Sequence, residues 1–207
     1  YIDDPTWWKD TSKLCLKDAV IGYDKVYTVV KTEYPPLHLG CDPDIHKSII
    51  LNKEQADFFG SNVAFIGTLR DESRGQVILD FIKKKPANLS FKIWGNGFQH
   101  PIFQPFWMGK PAYFSDFARV CSHTKIIFQQ HFSASPETKD FEVPCCNSAL
   151  YIVDNKAVNT KTIYPMIPTY KDTEELLHHI EYYMSHEQER QQIVKQMREI
   201  ALNYSYK

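Results

Sequence analysis

The chain has 207 residues, of which 43% are hydrophobic, and 24 basic against 25 acidic residues leave a formal net charge of −1. This length allows one large or two small domains with a sizeable core, which excludes an intrinsically disordered tail and a disulfide-stapled miniprotein. The balanced charge disfavours a protein that coats nucleic acid or binds membranes through a polybasic surface. No apolar run approaches the roughly 18–20 residues that cross a bilayer, so we expect no membrane span.

The first residue is Tyr1 rather than Met and no signal peptide is visible, so we expect a fragment or a processed chain. The chain contains an odd number of cysteines without a CxxC motif: Cys15, Cys41, Cys121, Cys145 and Cys146. This pattern favours reduced, buried thiols in a reducing compartment, and no His/Cys group has the spacing of a zinc site. We therefore expect no metal and a cytoplasmic location, which would be the host cytoplasm if the source is viral.

Along the chain, residues 1–55 differ in pattern from the remainder. Residues 24–30 predict a short strand and residues 34–43 predict a loop punctuated by proline and glycine. From about residue 61, strands and helices alternate. The predicted strands are 63–67, 89–95, 125–129 and 149–153, and the helices between them are 73–85, 113–120 and one that opens at 141–146. This alternation predicts an α/β domain with a doubly wound, Rossmann-like parallel sheet.

Two amphipathic helices are predicted at the end of the chain. Asp172 with Glu175 forms a capping box ahead of the first, and Ser185 with Gln188 forms a second box ahead of the other. Apolar residues then recur at helical spacing and form one stripe on each helix.

Residues that come directly after strands are the first candidates for a site, because ligands of open parallel sheets bind outside the carboxyl ends of the strands. After the first regular strand, Gly67 allows the backbone to approach a ligand, and Arg70 and Arg74 flank the start of a helix. Arginine forks and helix N-terminal amides both favour a diphosphate. The alternative is a loop whose arginines are solvated and pair with Asp71 and Glu72.

After the second regular strand, Gly95, Asn96 and Gly97 leave backbone amides open to a flat ring such as a base; the alternative is a plain turn. The chain has neither a GxGxxG fingerprint nor a GxxxxGK[ST] loop, so neither an NAD-dependent enzyme nor a P-loop ATPase is supported.

Before the fourth strand, Lys139 is placed for phosphate near the start of a helix. Glu142 lies one turn later and could accept two hydrogen bonds from the vicinal hydroxyls of a ribose. The alternative is that Glu142 only caps the first helical turn.

The order of these motifs resembles the C-terminal half of GT-B glycosyltransferases, and most of all the CgeB-like group. The resemblance covers roughly residues 61–205, and it rests on Gly67-Thr68-Leu69-Arg70, Gly95-Asn96-Gly97 and Thr138-Lys139-Asp140-Phe141-Glu142. Phage DNA glucosyltransferases show a related layout. The resemblance implies a donor-binding domain of GT-B type over residues 56–207, preceded over residues 1–55 by a remnant of an N-terminal acceptor domain and a linker.

The resemblance also implies a role for each candidate residue. Arg70, Arg74 and Lys139 would hold the diphosphate of a nucleotide sugar, with a UDP-sugar as the expected donor, and Glu142 would hold its ribose. The residues expected to border the base through their backbones are Gly67, Gly95, Asn96 and Gly97. Two departures from the family pattern are Lys139, where arginine is usual, and residues 144–147 (Pro-Cys-Cys-Asn), which replace a small-residue turn.

The function that the resemblance implies is a glycosyltransferase, incomplete as this chain, that transfers a sugar to a hydroxyl of a glycan, a protein or a modified DNA base. Charge on the leaving diphosphate would be stabilised without a required metal or other cofactor. The catalytic base is unknown; Asp3 and Asp4 are candidates only as carboxylates in a loop, and the alternative for them is a solvated turn. Two other hypotheses are a non-catalytic nucleotide-binding or scaffold subunit that needs a partner, or a missing N-terminal domain, and a phage-type DNA glucosyltransferase.

Overall fold

A computed structural model of the chain describes residues 39–69 and 72–206. Its centre is a five-stranded parallel sheet in the order β2-β1-β3-β4-β5. The strands are β1 (Ser61–Ile66), β2 (Phe91–Trp94), β3 (Thr124–Gln129), β4 (Leu150–Asp154) and β5 (Thr169–Tyr170). In the register of the central strands, Val63 lies opposite Phe91 on one side and opposite Ile126 on the other.

Seven helices are described before, between and after the strands. They are α1 (Lys53–Phe59), α2 (Glu72–Lys84), α3 (Phe114–His123), α4 (Lys139–Cys145), α5 (Val158–Ile163), α6 (Thr173–Ser185) and α7 (Glu187–Leu202). Helix α2 packs against α6, whereas α1 packs against α3 and α4 packs against α7. Because right-handed crossovers run in opposite directions from β1 to β2 and from β2 to β3, the helices cover both faces of the sheet. The predicted doubly wound α/β fold is confirmed.

The core lies on the two faces of this sheet. Every residue of β4 is buried, and so are the last four residues of β1 and of β3. Strands that are covered on both faces are apolar nearly throughout, which is why they read as continuous hydrophobic runs in the sequence. The largest fully buried side chains include Trp94, Tyr151, Phe65 and Phe128.

Three short elements were not predicted. Helix α1 has seven residues with one buried side chain, Phe59, and it is capped by Asn52, whose side-chain oxygen accepts from the Gln55 N–H at 2.9 Å. Helix α5 has six residues and strand β5 has two, so neither has enough length to show a hydrophobic period. The strand predicted at residues 24–30 lies outside the described residues.

The two predicted capping boxes have different outcomes. Asp172 caps α6, because its Oδ1 accepts from the Glu175 N–H at 2.9 Å. The second box is wrong: Ser185 is the last residue of α6, and its hydroxyl donates to the carbonyls of Glu181 and Tyr182. Serine near a helix end can bond back to carbonyls of its own helix, and this contact competes with capping the next one.

Of the helices in the described part of the chain, none combines the length and the apolar character needed to cross a membrane. The cysteines in this part (Cys41, Cys121, Cys145 and Cys146) are buried free thiols, as predicted. Cys15 lies outside it.

Candidate functional site

The sheet reverses its strand order at β1, which has β2 on one side and β3 on the other. In open α/β sheets the crevice outside the carboxyl ends of the strands at such a point is the usual ligand position. The loops that border it here are residues 67–69 after β1, residues 95–97 after β2 and residues 130–138 after β3.

Gly67 and Gly95 allow two of these loops to lie in direct backbone contact. A Cβ on Gly95 would be 1.7 Å from the carbonyl oxygen of Gly67. The Gly67 N–H donates to the Trp94 carbonyl at 2.9 Å, and the indole Nε1–H of Trp107 donates to the Gly95 carbonyl at 2.7 Å. Glycine is therefore required at Gly95 by the packing of the loops themselves. The predicted contact of both glycines with a base stays a prediction.

The outer part of the same loop is held by Leu69. The Leu69 N–H donates to the Asn96 carbonyl at 2.9 Å, and a Cβ on Gly97 would be 2.9 Å from the Leu69 Cβ. Gly97 has a φ of +93°, a left-handed conformation that glycine adopts without strain. Asn96 is exposed, so its side chain is accessible from the crevice edge.

Arg74 connects two of the loops that border the crevice. Its side chain is 3% exposed, and its Nη1 and Nη2 donate to the carbonyls of Thr68, at 3.0 Å, and Gln130, at 2.5 Å. The guanidinium also lies 4.2 Å from the ring centre of Phe132 and 4.0 Å from the Glu137 carboxylate. Arg74 thus joins the loops that come after β1 and β3. Its predicted direct contact with a diphosphate stays a prediction, and Arg70 lies outside the described residues.

Lys139, the first residue of α4, brings a second cation to this place. Its Nζ is 3.5 Å from the position that a Cβ on Gly67 would take, so the ammonium lies over the glycine. Burial lowers the pKa of Lys139, the carboxylate of Glu137 opposes that shift, and the charge of Arg74 adds to it. Because neighbouring positive charges disfavour each other, an anion bound beside Lys139 and Arg74 would offset this repulsion.

Glu142 lies on the same helix, three residues after Lys139, so the two side chains are neighbours on one helical face. Burial raises the pKa of Glu142 to about 7, although the charge of Lys139 opposes the shift. Its side chain keeps 22% exposure, and its Oε1 is 3.4 Å from Nε2 of His46. The structure therefore brings Gly67, Arg74, Lys139 and Glu142 close to one another, and their predicted roles toward a nucleotide sugar stay predictions.

A family described as glycosyl transferase-like matches residues 70–207, which is more than half of the chain. The chain belongs to this glycosyl transferase-like family. The matched range includes Arg74, Gly95, Lys139 and Glu142. The narrower resemblance to the CgeB-like group stays a prediction. No curated protein matches the chain.

The structure of this glycosyl transferase-like chain is similar to the crystal structure of Anabaena Alr3699/HepE in complex with UDP and glucose. The TM-score is 0.62 at 12% sequence identity, and the match covers 83% of this chain and 53% of the HepE chain. The chain thus spans about half of the length of that protein. At this identity the similarity shows the fold, which agrees with the predicted GT-B type.

A buried network that the sequence does not signal holds α4 of this glycosyl transferase-like chain in place. Nε2 of His131 lies 2.9 Å from Oδ1 of Asp140, and the His131 backbone N–H donates to Asp154 Oδ1 at 3.0 Å. Asp140 also accepts from the hydroxyls of Tyr151, at 3.0 Å, and Thr160, at 2.5 Å. Burial would lower the pKa of His131, but its hydrogen bonds to the two aspartates outweigh burial and raise it to about 9.

The turn after α4, whose sequence departs from the family pattern, contains a residue with a positive φ. Asn147 has a φ of +55° in the left-handed region, which asparagine tolerates better than most residues. The Asn147 N–H donates to the Pro144 carbonyl at 3.0 Å. Among residues 39–69 and 72–206, no three His, Cys, Asp or Glu side chains form a group that could hold a metal ion.

Proposed function

We propose that the chain binds a nucleoside-diphosphate sugar at the crevice between β1 and β3 and transfers its sugar to a hydroxyl acceptor. The observation that carries the proposal is the placement of Lys139 over Gly67, next to the buried Arg74 and at the switch point of the sheet. Membership of the glycosyl transferase-like family supports it. The UDP and glucose in the HepE crystal structure favour a UDP-sugar as the donor.

In this reaction the bond between the anomeric carbon and the β-phosphate oxygen breaks, and the acceptor oxygen forms a new bond to that carbon. The acceptor proton passes to a base. The candidate bases, Asp3 and Asp4, lie outside the described residues. Negative charge grows on the leaving diphosphate. We propose that the Lys139 ammonium, together with Arg70, stabilises it from a site that is already partly dehydrated.

We propose that Arg74 has a different role from the one the resemblance implies. Its Nη1 and Nη2 are directed at the carbonyls of Thr68 and Gln130, so it holds the loops after β1 and β3 at a fixed separation. Its positive charge still adds to the field that a diphosphate meets, because the guanidinium is buried and weakly screened.

Glu142 is proposed to accept hydrogen bonds from the two ribose hydroxyls. An ionised carboxylate offers acceptors on both oxygens, which suits a vicinal diol. Helix α4 places Glu142 one turn from Lys139, so one short helix would hold both the diphosphate and the ribose.

Calorimetric titration with UDP, GDP and ADP tests the proposal, with Lys139→Met as the probe variant and Lys195→Met as the matched control. Lys195 is exposed on α7, so its loss removes the same charge away from the crevice. We expect one diphosphate to bind, Lys139→Met to weaken it at least 10-fold, since a charge-assisted contact is lost, and the control to leave it unchanged. No binding of any diphosphate to the folded chain would overturn the proposal.

A second candidate is a nucleotide-binding subunit that needs another chain for catalysis. Release of UDP from UDP-glucose, measured with a panel of hydroxyl acceptors, separates the two. This candidate would be supported over the first if the chain bound UDP tightly without turnover and if addition of a partner chain restored turnover.

A further inference from the structure

His46 lies outside every motif that the sequence analysis used, in the turn that precedes α1. This turn is closed by Asp42, whose carbonyl accepts from the N–H of His46 at 2.7 Å and of Ile45 at 3.1 Å. In the opposite direction, the Asp42 N–H donates to Nδ1 of His46 at 3.1 Å. The turn and the side-chain contact together fix the imidazole with respect to the backbone.

The ring of His46 is also held by packing. It is 8% exposed and meets the ring of Phe117 on α3 edge-on, with centroids 5.8 Å apart and an interplanar angle of 79°. Burial lowers the pKa of His46, although the charge of Asp42 opposes the shift, so the ring is neutral at pH 7. Because Nδ1 accepts from a backbone N–H, the single proton of the neutral ring is on Nε2.

That proton lies on the nitrogen that faces Glu142: Nε2 is 3.4 Å from Glu142 Oε1, slightly farther than in an ordinary N–H···O hydrogen bond. We infer that His46 is a positioning residue: its Nε2–H holds Oε1 of Glu142 so that the carboxylate presents its remaining acceptor sites to the ribose of the donor. This inference rests on the proposed function, because it acts through the ribose contact of Glu142.

A fixed donor matters at Glu142 because its carboxyl is poorly hydrated. Burial raises the pKa of Glu142 to about 7, so near neutral pH a sizeable fraction carries a proton and offers a donor where the diol needs acceptors. A hydrogen bond from a neutral N–H favours the ionised carboxylate and restricts its rotation. His46 and Glu142 are 96 residues apart in the sequence, and their contact connects the turn before α1 to helix α4.

The experiment compares the affinity of the 207-residue chain for UDP and for 2′-deoxy-UDP by calorimetry. We expect the wild type to prefer UDP about 10-fold, since a hydrogen bond to a charged group is lost with the 2′-hydroxyl. Glu142→Gln, which keeps one acceptor oxygen but loses the charge, should reduce this preference to about 2-fold or less. His46→Phe, which keeps an aromatic ring against Phe117, reduces the preference to about 2-fold or less, and His46→Gln, which restores an N–H donor near the Nε2 position, recovers most of it.

These outcomes separate the inference from the function on which it rests. A purely structural role of His46 would weaken UDP and 2′-deoxy-UDP equally and leave their ratio unchanged, and that result with His46→Phe would overturn the inference alone. A ratio that survives Glu142→Gln would overturn the ribose assignment and the inference with it. Should His46→Phe fail to fold, His46→Asn keeps an acceptor for the Asp42 N–H but is too short to reach Glu142, and the same loss of preference is expected.

Discussion

The two halves of the crevice are built in opposite ways. After β1 and β2, Gly67 and Gly95 bring backbone against backbone, and no charged side chain is needed to join the loops. After β3, a buried histidine lies between two buried aspartates, and α4 is held by charge and hydrogen bonds. The first half leaves no room for a Cβ at Gly95, whereas the second half depends on the partners of its buried charges.

The difference also separates what each half offers a ligand. The glycine half presents peptide groups whose positions are set by the sheet, and the charged half presents Lys139 and Glu142 on a helix whose position depends on Asp140. A substitution in the glycine half should therefore lower the free energy of unfolding at every pH. A substitution in the charged half should change the free energy of unfolding by an amount that depends on pH.

The largest effect is expected from Gly95→Ala. The added Cβ would be 1.7 Å from the Gly67 carbonyl oxygen, so the loops after β1 and β2 must separate. We expect a loss of about 4 kcal/mol or more in the free energy of unfolding. The matched control is Gly75→Ala inside α2, where the nearest atom is a flexible Leu69 methyl at 3.2 Å. It should stabilise the chain by about 0.5–1 kcal/mol, since alanine favours a helix. Urea unfolding measures both; equal effects would contradict the role of the backbone contact.

Asp140→Ala should cost about 3–5 kcal/mol, because it leaves the cationic His131 and the hydroxyls of Tyr151 and Thr160 buried without their acceptor. Asp80→Ala is the control, since Asp80 on α2 accepts an exposed hydrogen bond from Gln76. It should change stability by less than about 0.5 kcal/mol. Thermal and urea unfolding of the two variants decide the matter, and a mild effect at Asp140 would show that the network is dispensable.

The charge on His131 predicts a loss of stability at alkaline pH. Its pKa is raised from 6.5 to about 9 in the folded chain, so its contribution is fully present below pH 6.5 and disappears as pH rises through 9. The difference in stability between wild type and His131→Gln should shrink by about 3 kcal/mol across this window. Circular dichroism melts from pH 6 to pH 10 measure it. A difference that is flat with pH would mean that His131 is neutral in the folded state.

Glu142→Gln should stabilise the chain at pH 8 and lower its affinity for the nucleotide. The pKa of Glu142 is raised from 4.5 to about 7, so ionisation in the folded chain becomes costly as pH rises through that range. Removing the charge should add about 1–3 kcal/mol at pH 8 and almost nothing at pH 4. Paired melts at the two pH values provide the measurement. Destabilisation at pH 8 would indicate that the ionised carboxylate supports the fold itself.

The strands and long helices could be predicted because their signals are local. Strand β4 is apolar in the sequence because both faces of the sheet are covered, and α6 and α7 carry apolar stripes with a 3.6-residue period. Gly67, Lys139 and Glu142 could be proposed as candidates because ligands lie at the carboxyl ends of strands, a rule that needs only the order of the elements.

Other parts of the site have no local signal. A buried histidine paired with Asp140 and Asp154 has the same sequence appearance as one that is exposed. The contact of His46 with Glu142 joins positions that are remote in the chain, and nothing near His46 predicts it. The carbonyl of Gln130, which accepts from Arg74, also lies far from it in the chain, and the predicted contact of Arg74 with a ligand stays a prediction.

The sequence by itself determined the alternation of strands and helices, the edge of the sheet where a ligand belongs and the residue types available there, since these depend on hydrophobic period and chain order. The tertiary structure alone decided which charges meet. Coulomb energies and hydrogen bonds act over a few ångströms in space, so the partners of Lys139, Glu142 and His131 are set by how β1, β3 and α4 pack.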